Sequence, residues 1–308
     1  MIVLGTLFAI VIPYTALAIF VIGFVYRIVL WACSPVPFHI PTVCGQQRSL
    51  PWIKNNKSES PSTTWGIFTR MALEVLLFRS LFRNDRAELA GQARAVYRGN
   101  RLLWLGGLIF HWSLLIILLR HLRFFFEPVP GCVTFLQNLD GLFQIFTPTL
   151  LLTDVFIVIS LCYLFLRRIT NPQIRYISLI SDYFSLLLIL GIAVSGVLMR
   201  YFYRIDLLEI KRFILGILSL SPIVPKNTGI TFYVHLFLVS ILLAYFPFSK
   251  LMHMGGVFMS PTRNLKNDSR AQRHINPWSY PVKVHTYEQW EGEFKEAIKE
   301  AGLPLEKE

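Results

Sequence analysis

Five segments of this 308-residue chain are apolar over a length that matches about 30 Å of hydrocarbon: residues 2–26, 102–119, 147–166, 183–203 and 230–249. Inside a bilayer the backbone has no water to bond, so each such segment is confined to a helix that satisfies its own ladder. The expected fold is an all-α polytopic membrane bundle of five transmembrane helices, with a long cytoplasmic first connection (33–101) and a cytoplasmic tail. Composition agrees, since 54% of the residues are hydrophobic, 14% are aromatic, and the mean hydropathy is +0.52. That profile excludes an ordinary soluble domain. The first segment has no positive n-region and no small-residue cleavage site before Arg27, so it reads as a retained span.

The net charge of +12 is spread unevenly, and the unevenness sets an orientation. Ten lysines and arginines lie between Arg48 and Arg101; Arg167, Arg168 and Arg175 follow the third span; Lys250, Arg263, Lys266, Arg270 and Arg273 follow the fifth. The positive-inside rule places these regions in the cytoplasm, hence the N-terminus outside and the C-terminus inside a cell membrane. The fourth connection, with Arg204, Lys211, Arg212 and Lys226 beside Asp206 and Glu209, dilutes the contrast without reversing it. A basic balance in such a chain reports topology and anionic lipid, and carries no case for nucleic acid.

Four histidines lie in or at the edge of the apolar segments: His111 and His121 in the second, His235 in the fifth, and His253 just beyond it. Metal-binding side chains are rare in lipid, so four together point to a site. Ten residues of helix separate the first two by about 15 Å, and eighteen separate the others by about 27 Å. On antiparallel helices these spacings level His111 with His253 and His121 with His235, two pairs stacked across the membrane. Facing imidazoles can ligate a haem iron axially while the macrocycle fills the apolar gap. Zinc needs its ligands gathered within a few ångströms, whereas these are spread along the membrane normal. A proton relay needs carboxylates beside the histidines, and the spans offer only Asp154 and Asp182, near helix ends. Gly106 and Gly107, about one turn before His111, are small enough to admit a macrocycle to the backbone. Arg120 and Arg123 flank His121 as candidate contacts for haem propionates, with interfacial anchoring as the alternative. Pro247 should bend the last helix between its two histidines.

The remaining signals concern the cytoplasmic face. His39, His274 and His285 fall in proline-bearing or polar segments and suit solvated or partner-facing roles. Cys33, Cys44, Cys132 and Cys162 form no Cys-x-x-Cys, which argues against an iron–sulfur cluster held by this chain alone. Residues 34–54 carry four prolines and read as an irregular arm; Thr64–Gly99 has a basic amphipathic helical pattern that suits interfacial packing or partner docking. A cytochrome-like membrane domain over 1–255 and a docking tail over 256–308, with a helical stretch near Tyr287–Ala301, complete the organisation.

The histidine spacings and the phrase FPFSKLMH (Phe246 to His253) resemble the dihaem cytochrome b subunits of respiratory nitrate reductases, the gamma-subunit family, across roughly residues 1–255. The cytoplasmic phrases SPVPFHIPTVCGQQRSLPWIK, EVLLFRSLFRN and SPTRNLKNDSRAQRHINPW are similar to the DsrM family, the membrane cytochrome b of the sulfite-reduction-associated DsrMKJOP complex, and extend the likeness over nearly the whole chain. That resemblance implies five spans, two b-type haems, exchange with menaquinone, and a cytoplasmic iron–sulfur partner resembling DsrK beside the other DsrMKJOP subunits. It also assigns His111 and His253 to an inner haem and His121 and His235 to an outer one. The lysine that serves the quinone site in nitrate-reductase relatives has no counterpart between His121 and Ile169, leaving Arg123, Glu127 and Asp140 as candidates near the outer haem. The chain is thereby expected to be a quinol-oxidising electron-transfer subunit. The rivals are a dihaem anchor of another reductase, of nitrate or heterodisulfide type, and a haem-free proton-linked transporter.

Overall fold

The apolar segments fold as helices that keep their backbone bonds internal, as lipid requires. A computed structural model describes residues 5–34, 56–90, 94–141, 148–225, 228–268 and 284–306. Among these, four helical stretches are long and apolar enough to cross a membrane: Leu7–Ala32, Arg101–Phe124, Ile180–Tyr203 and Gly229–Phe248. Their main bodies are α1 (Ile12–Ala32), α3 (Arg101–His121), α6 (Ile180–Val197) and α8 (Gly229–Tyr245), with α2 (Thr64–Leu77) preceding the second. The first helix runs past the expected end at residue 26, because Arg27 is not a terminus: its Nε donates to the Pro247 carbonyl at 3.1 Å.

The third expected span is α5 (Leu152–Thr170), preceded by α4 (Gly131–Asp140). It has 19 residues, about 28 Å of rise, but with Asp154, Arg167 and Arg168 along it, it is not among the four stretches long and apolar enough to cross. It packs closely on α3, because Gly106 leaves room for the Tyr163 ring; a Cβ at Gly106 would sit 2.6 Å from it. Phe110, Ile157, Leu161 and Ile189 form one buried cluster among α3, α5 and α6. A second, Ala9, Met199, Ile210, Phe213 and Phe232, joins the first span to the end of the α6 span, to α8, and to the amphipathic α7 (Leu207–Leu218).

On the side expected to be cytoplasmic, the long amphipathic pattern is only partly helical. Thr63 caps α2 by accepting from the Gly66 N–H at 3.1 Å, and the helix stops where Phe78 turns left-handed at φ 49°. A short helix, Arg79–Phe82, leads into an antiparallel hairpin of β1 (Asp85–Ala90) and β2 (Arg94–Gly99), in register from Asp85↔Gly99 to Ala90↔Arg94. This hairpin corrects the helix drawn to Gly99, while the other elements of the described chain are helical, as the all-α expectation had it. The sequence cue is Gly91, a poor helix residue at the centre of that stretch.

Two tryptophans of α3 hold α2 in place: Trp104 Nε1 donates to the Leu77 carbonyl at 2.7 Å and Trp112 Nε1 to the Leu76 carbonyl at 3.0 Å. Such end carbonyls have no partner inside their own helix. The start of the tail lies against α2, with Arg70 Nη1 donating to the Thr262 carbonyl at 2.8 Å and the Asn267 N–H to the Pro61 carbonyl at 2.9 Å. The helix expected near Tyr287–Ala301 is α9 (Tyr287–Glu300), capped by Thr286 and Gln289. Most of the proline-rich arm, with Phe38, His39 and Trp52, and tail positions 269–283, with His274 and Trp278, lie outside the described residues.

Candidate functional site

The histidine spacing on α3 is as expected, but the chain reaches His253 differently. After α8 comes a 3-10 turn at Phe246–Phe248, where Pro247 cannot donate to the ladder. Ser249 is then extended, at φ −113° and ψ 173°, and a second 3-10 turn, Lys250–Met252, delivers His253 to the start of a four-residue helix. The eighteen-residue interval is therefore a broken path and not one continuous helix. Gly23 of α1 allows the break to be covered; a Cβ there would lie 2.7 Å from Pro247 Cβ.

That path places the His253 ring opposite His111, with centroids 6.0 Å apart and planes at 84°. A metal–imidazole bond is about 2 Å, so two opposed rings on one iron have centroids roughly 6 Å apart. The observed separation fits a single iron between them. His121 ends α3 and His235 lies within α8. Phe78 and Phe110 pack against the His111 ring at 4.8 and 4.7 Å between centroids.

The hydrogen bonds select the free nitrogen of each ring. Nδ1 of His111 meets the Gly107 carbonyl at 2.8 Å, that of His121 the Ile117 carbonyl at 2.7 Å, and that of His253 the Lys250 carbonyl at 2.8 Å. A carbonyl only accepts, so each Nδ1 carries the proton and each Nε2 keeps its lone pair. His235 uses a side chain instead: its Nδ1 lies 2.9 Å from Ser195 Oγ, whose own proton is directed to the Ile192 carbonyl at 2.9 Å. The hydroxyl thus accepts from Nδ1–H. Metal-ligating histidines typically have their second nitrogen held in this way. Among the described residues, no group of three or more His, Cys, Asp or Glu converges on a bare metal ion. Paired axial ligands for a haem are what this arrangement offers.

Arg120 and Arg123 have other partners. Arg120 is buried and pairs with Asp140 at 2.9 Å and Asp154 at 2.6 Å. Asp140 also accepts from the Thr153 N–H and hydroxyl at 2.8 and 2.6 Å, and Asp154 from the Tyr201 hydroxyl at 2.9 Å. The Arg120 charge is thus balanced inside the protein, and this cluster ties α3, α4, α5 and the end of the α6 span together beside His121. Arg123 Nη1 donates to Gln137 Oε1 at 2.7 Å. Glu127 forms an ion pair with Lys211. Gly106 serves helix packing against Tyr163, which corrects its reading as space for a macrocycle.

Comparison with known proteins bears directly on this arrangement. Residues 62–273, which include all four histidines, match the nitrate reductase gamma subunit family. The chain belongs to that family. It is also 48% identical over 282 residues to a protein of Archaeoglobus fulgidus named Hdr-like menaquinol oxidoreductase cytochrome b-like subunit, covering 89% of this chain and 84% of that one. A protein of the same name from Archaeoglobus profundus is 44% identical over 273 residues, covering 86% and 81%.

Within this gamma-subunit-like chain, the ligand candidates were legible in sequence, but most of their supports were not. Three of the four Nδ1 acceptors are main-chain carbonyls, which leave no residue signature. Ser195 is one of several serines of its span and carries no signal of its own; it stands next to Gly196, where a Cβ would lie 3.5 Å from His235 Cε1. Phe78 reaches His111 only because the α2 carbonyls dock on Trp104 and Trp112.

Proposed function

We propose that this chain is the dihaem cytochrome b subunit of a menaquinol-oxidising complex, carrying electrons from quinol oxidised near the outer face to a cytoplasmic iron–sulfur partner. The observation that carries the reading is the 6.0 Å opposition of His111 and His253 together with a bonded Nδ1 on all four histidines. A haem bound at each pair supplies one-electron transfer at its iron. The chain's part is to present Nε2 of His111 and His253 at the inner site and of His121 and His235 at the outer one, to fix each ring by its Nδ1 bond, and to keep both sites in apolar surroundings.

Five crossings follow if α5 spans the membrane with the other four, its Asp154 charge met by Arg120 and its Arg167 and Arg168 at the cytoplasmic end. Arg123 is then the arginine left for a propionate, Arg120 being committed to two carboxylates. The chain lies in the cytoplasmic membrane with its N-terminus outside. The names of the Archaeoglobus relatives favour menaquinol and a heterodisulfide-reductase-like partner of the DsrK kind over a nitrate reductase. The resemblance of the cytoplasmic phrases favours a DsrM-like place in a DsrMKJOP-type complex of sulfur metabolism.

The test is optical. The purified, oxidised chain is mixed with a reduced menaquinol analogue, and the visible spectrum is followed. Sharp reduced bands of low-spin b haem, rising at a rate that depends on the quinol, are expected. A chain without haem bands fits the transporter rival, and haem that the quinol cannot reduce contradicts the menaquinol reading.

A further inference from the structure

The last span is not a straight carrier of its second ligand, so something outside it must fix where His253 stands. Three breaks in regular geometry precede that residue: the turn at Pro247, the extended Ser249, and the 3-10 turn Lys250–Met252. Each adds freedom. Within the last turn, Ser249 Oγ accepts from the Leu251 N–H at 3.2 Å, a local bond that shapes the turn without tying it to another helix. Arg27 of α1 ties the first break through the Pro247 carbonyl, and within the last turn Lys250 makes a tie to another helix. The Lys250 carbonyl receives the His253 Nδ1 proton at 2.8 Å, while its Nζ pairs at 2.7 Å with Oδ1 of Asp182 on α6.

Asp182 is well placed to be the fixed end of this link. Its side chain is 7% exposed. Its Oδ2 accepts from the Leu179 N–H at 3.1 Å, so the carboxylate also satisfies an open donor at the start of α6. Arg168 of α5 stands 3.6 Å from the same oxygen and donates to Ser178 Oγ at 2.9 Å. The carboxylate is therefore held by two helices before Lys250 reaches it. An ordinary exposed ion pair contributes little, yet here one partner is nearly buried and the other carries the carbonyl that orients a ligand.

We infer that Asp182 and Lys250 form a clamp that positions His253 as an axial ligand of the inner haem. The inference rests on the dihaem reading above and deepens it. Neither residue touches the iron; Asp182 acts through Lys250, and Lys250 acts through its backbone. With the clamp released, the His253 ring is free to rotate and shift relative to His111. The geometry of the inner site alone should then change, because His121 is held by Ile117 on α3 and Ser195, which holds His235, stands thirteen residues beyond Asp182 on α6, about 20 Å of rise away.

The experiment uses the full-length chain in membranes, comparing wild type, Asp182→Asn, Asp182→Glu, Lys250→Met, and the charge-exchanged double variant Asp182→Lys with Lys250→Asp. Electron paramagnetic resonance reads the low-spin signals of both haems, and a redox titration reads each midpoint potential. The clamp predicts that Asp182→Asn and Lys250→Met move or broaden one low-spin signal and shift one potential while the other haem is unchanged. Asp182→Glu or the double variant should restore the wild-type signal. Unchanged signals in both single variants overturn the inference, as does loss of both haems that neither compensating variant restores. A wild-type chain without two low-spin signals would instead contradict the dihaem reading itself.

Discussion

An imidazole becomes a ligand when one nitrogen is occupied and the ring is held still, and in this chain the holding differs among the four histidines. Three of them lean on main-chain carbonyls of their own helix or turn, that of His253 belonging to Lys250, whose side chain is tied to Asp182. His235 depends on the Ser195 hydroxyl. Replacing Ser195 with alanine leaves Nδ1–H without that acceptor in an apolar span, a loss of about 1–3 kcal/mol. Removing such a support typically weakens metal affinity about 10–100-fold. Ser195→Ala should therefore weaken haem retention at the His121/His235 site by that factor, with the His111/His253 site intact, and Ser195→Thr should retain it. Haem titration with resonance spectra on the same samples decides the matter; equal retention at both sites would remove Ser195 from the account. The histidines were legible because ionisable side chains in lipid stand out by cost alone. Ser195 was not, because its role comes from two helices brought side by side.

At the scale of elements, apolar length located four of the five expected stretches as membrane-length helices, while their ends and the connecting pieces answered to local chemistry. Arg27 reads as a boundary by charge, yet the helix continues through it because Arg27 finds the Pro247 carbonyl of another span. Asp154 helps set α5 apart by composition from the four membrane-length stretches, and Arg120 supplies the counter-charge that composition cannot see. The amphipathic pattern after Thr64 was correct up to Phe78, beyond which a left-handed turn and a hairpin replace the helix. Orientation follows from the connections: α4 should face outside and the end of α1 inside, since the basic stretches gather on the other side of the membrane from α4. Cys132 and Cys33 are both exposed and report one side each. In chains that keep only one of them, an impermeant thiol reagent added to intact cells should label Cys132 and spare Cys33. The opposite labelling would invert the orientation and exchange the inner and outer sites.

For the whole molecule, the proposed function asks the fold to hold two pairs of imidazoles at different depths, and the structure sets the His111 and His253 rings 6.0 Å apart. On α3 the ten residues between His111 and His121 correspond to about 15 Å of rise, and the broken last span returns His253 to the level of His111. Spacing on an antiparallel pair of helices levels His111 with His253, whose rings meet at 6.0 Å, and proposes His121 with His235 at the second level. The break at Pro247 and Ser249, the docking of α2 through Trp104 and Trp112, and the link from Asp182 to Lys250 arise only once the helices are assembled. The most direct measurement is haem content and low-spin signal in the four single variants His111→Ala, His121→Ala, His235→Ala and His253→Ala. The account predicts that His111→Ala and His253→Ala lose the same haem, that His121→Ala and His235→Ala lose the other, and that each keeps one low-spin centre. A His111→Ala chain that keeps two low-spin haems, or variants whose losses pair in any other way, would contradict it.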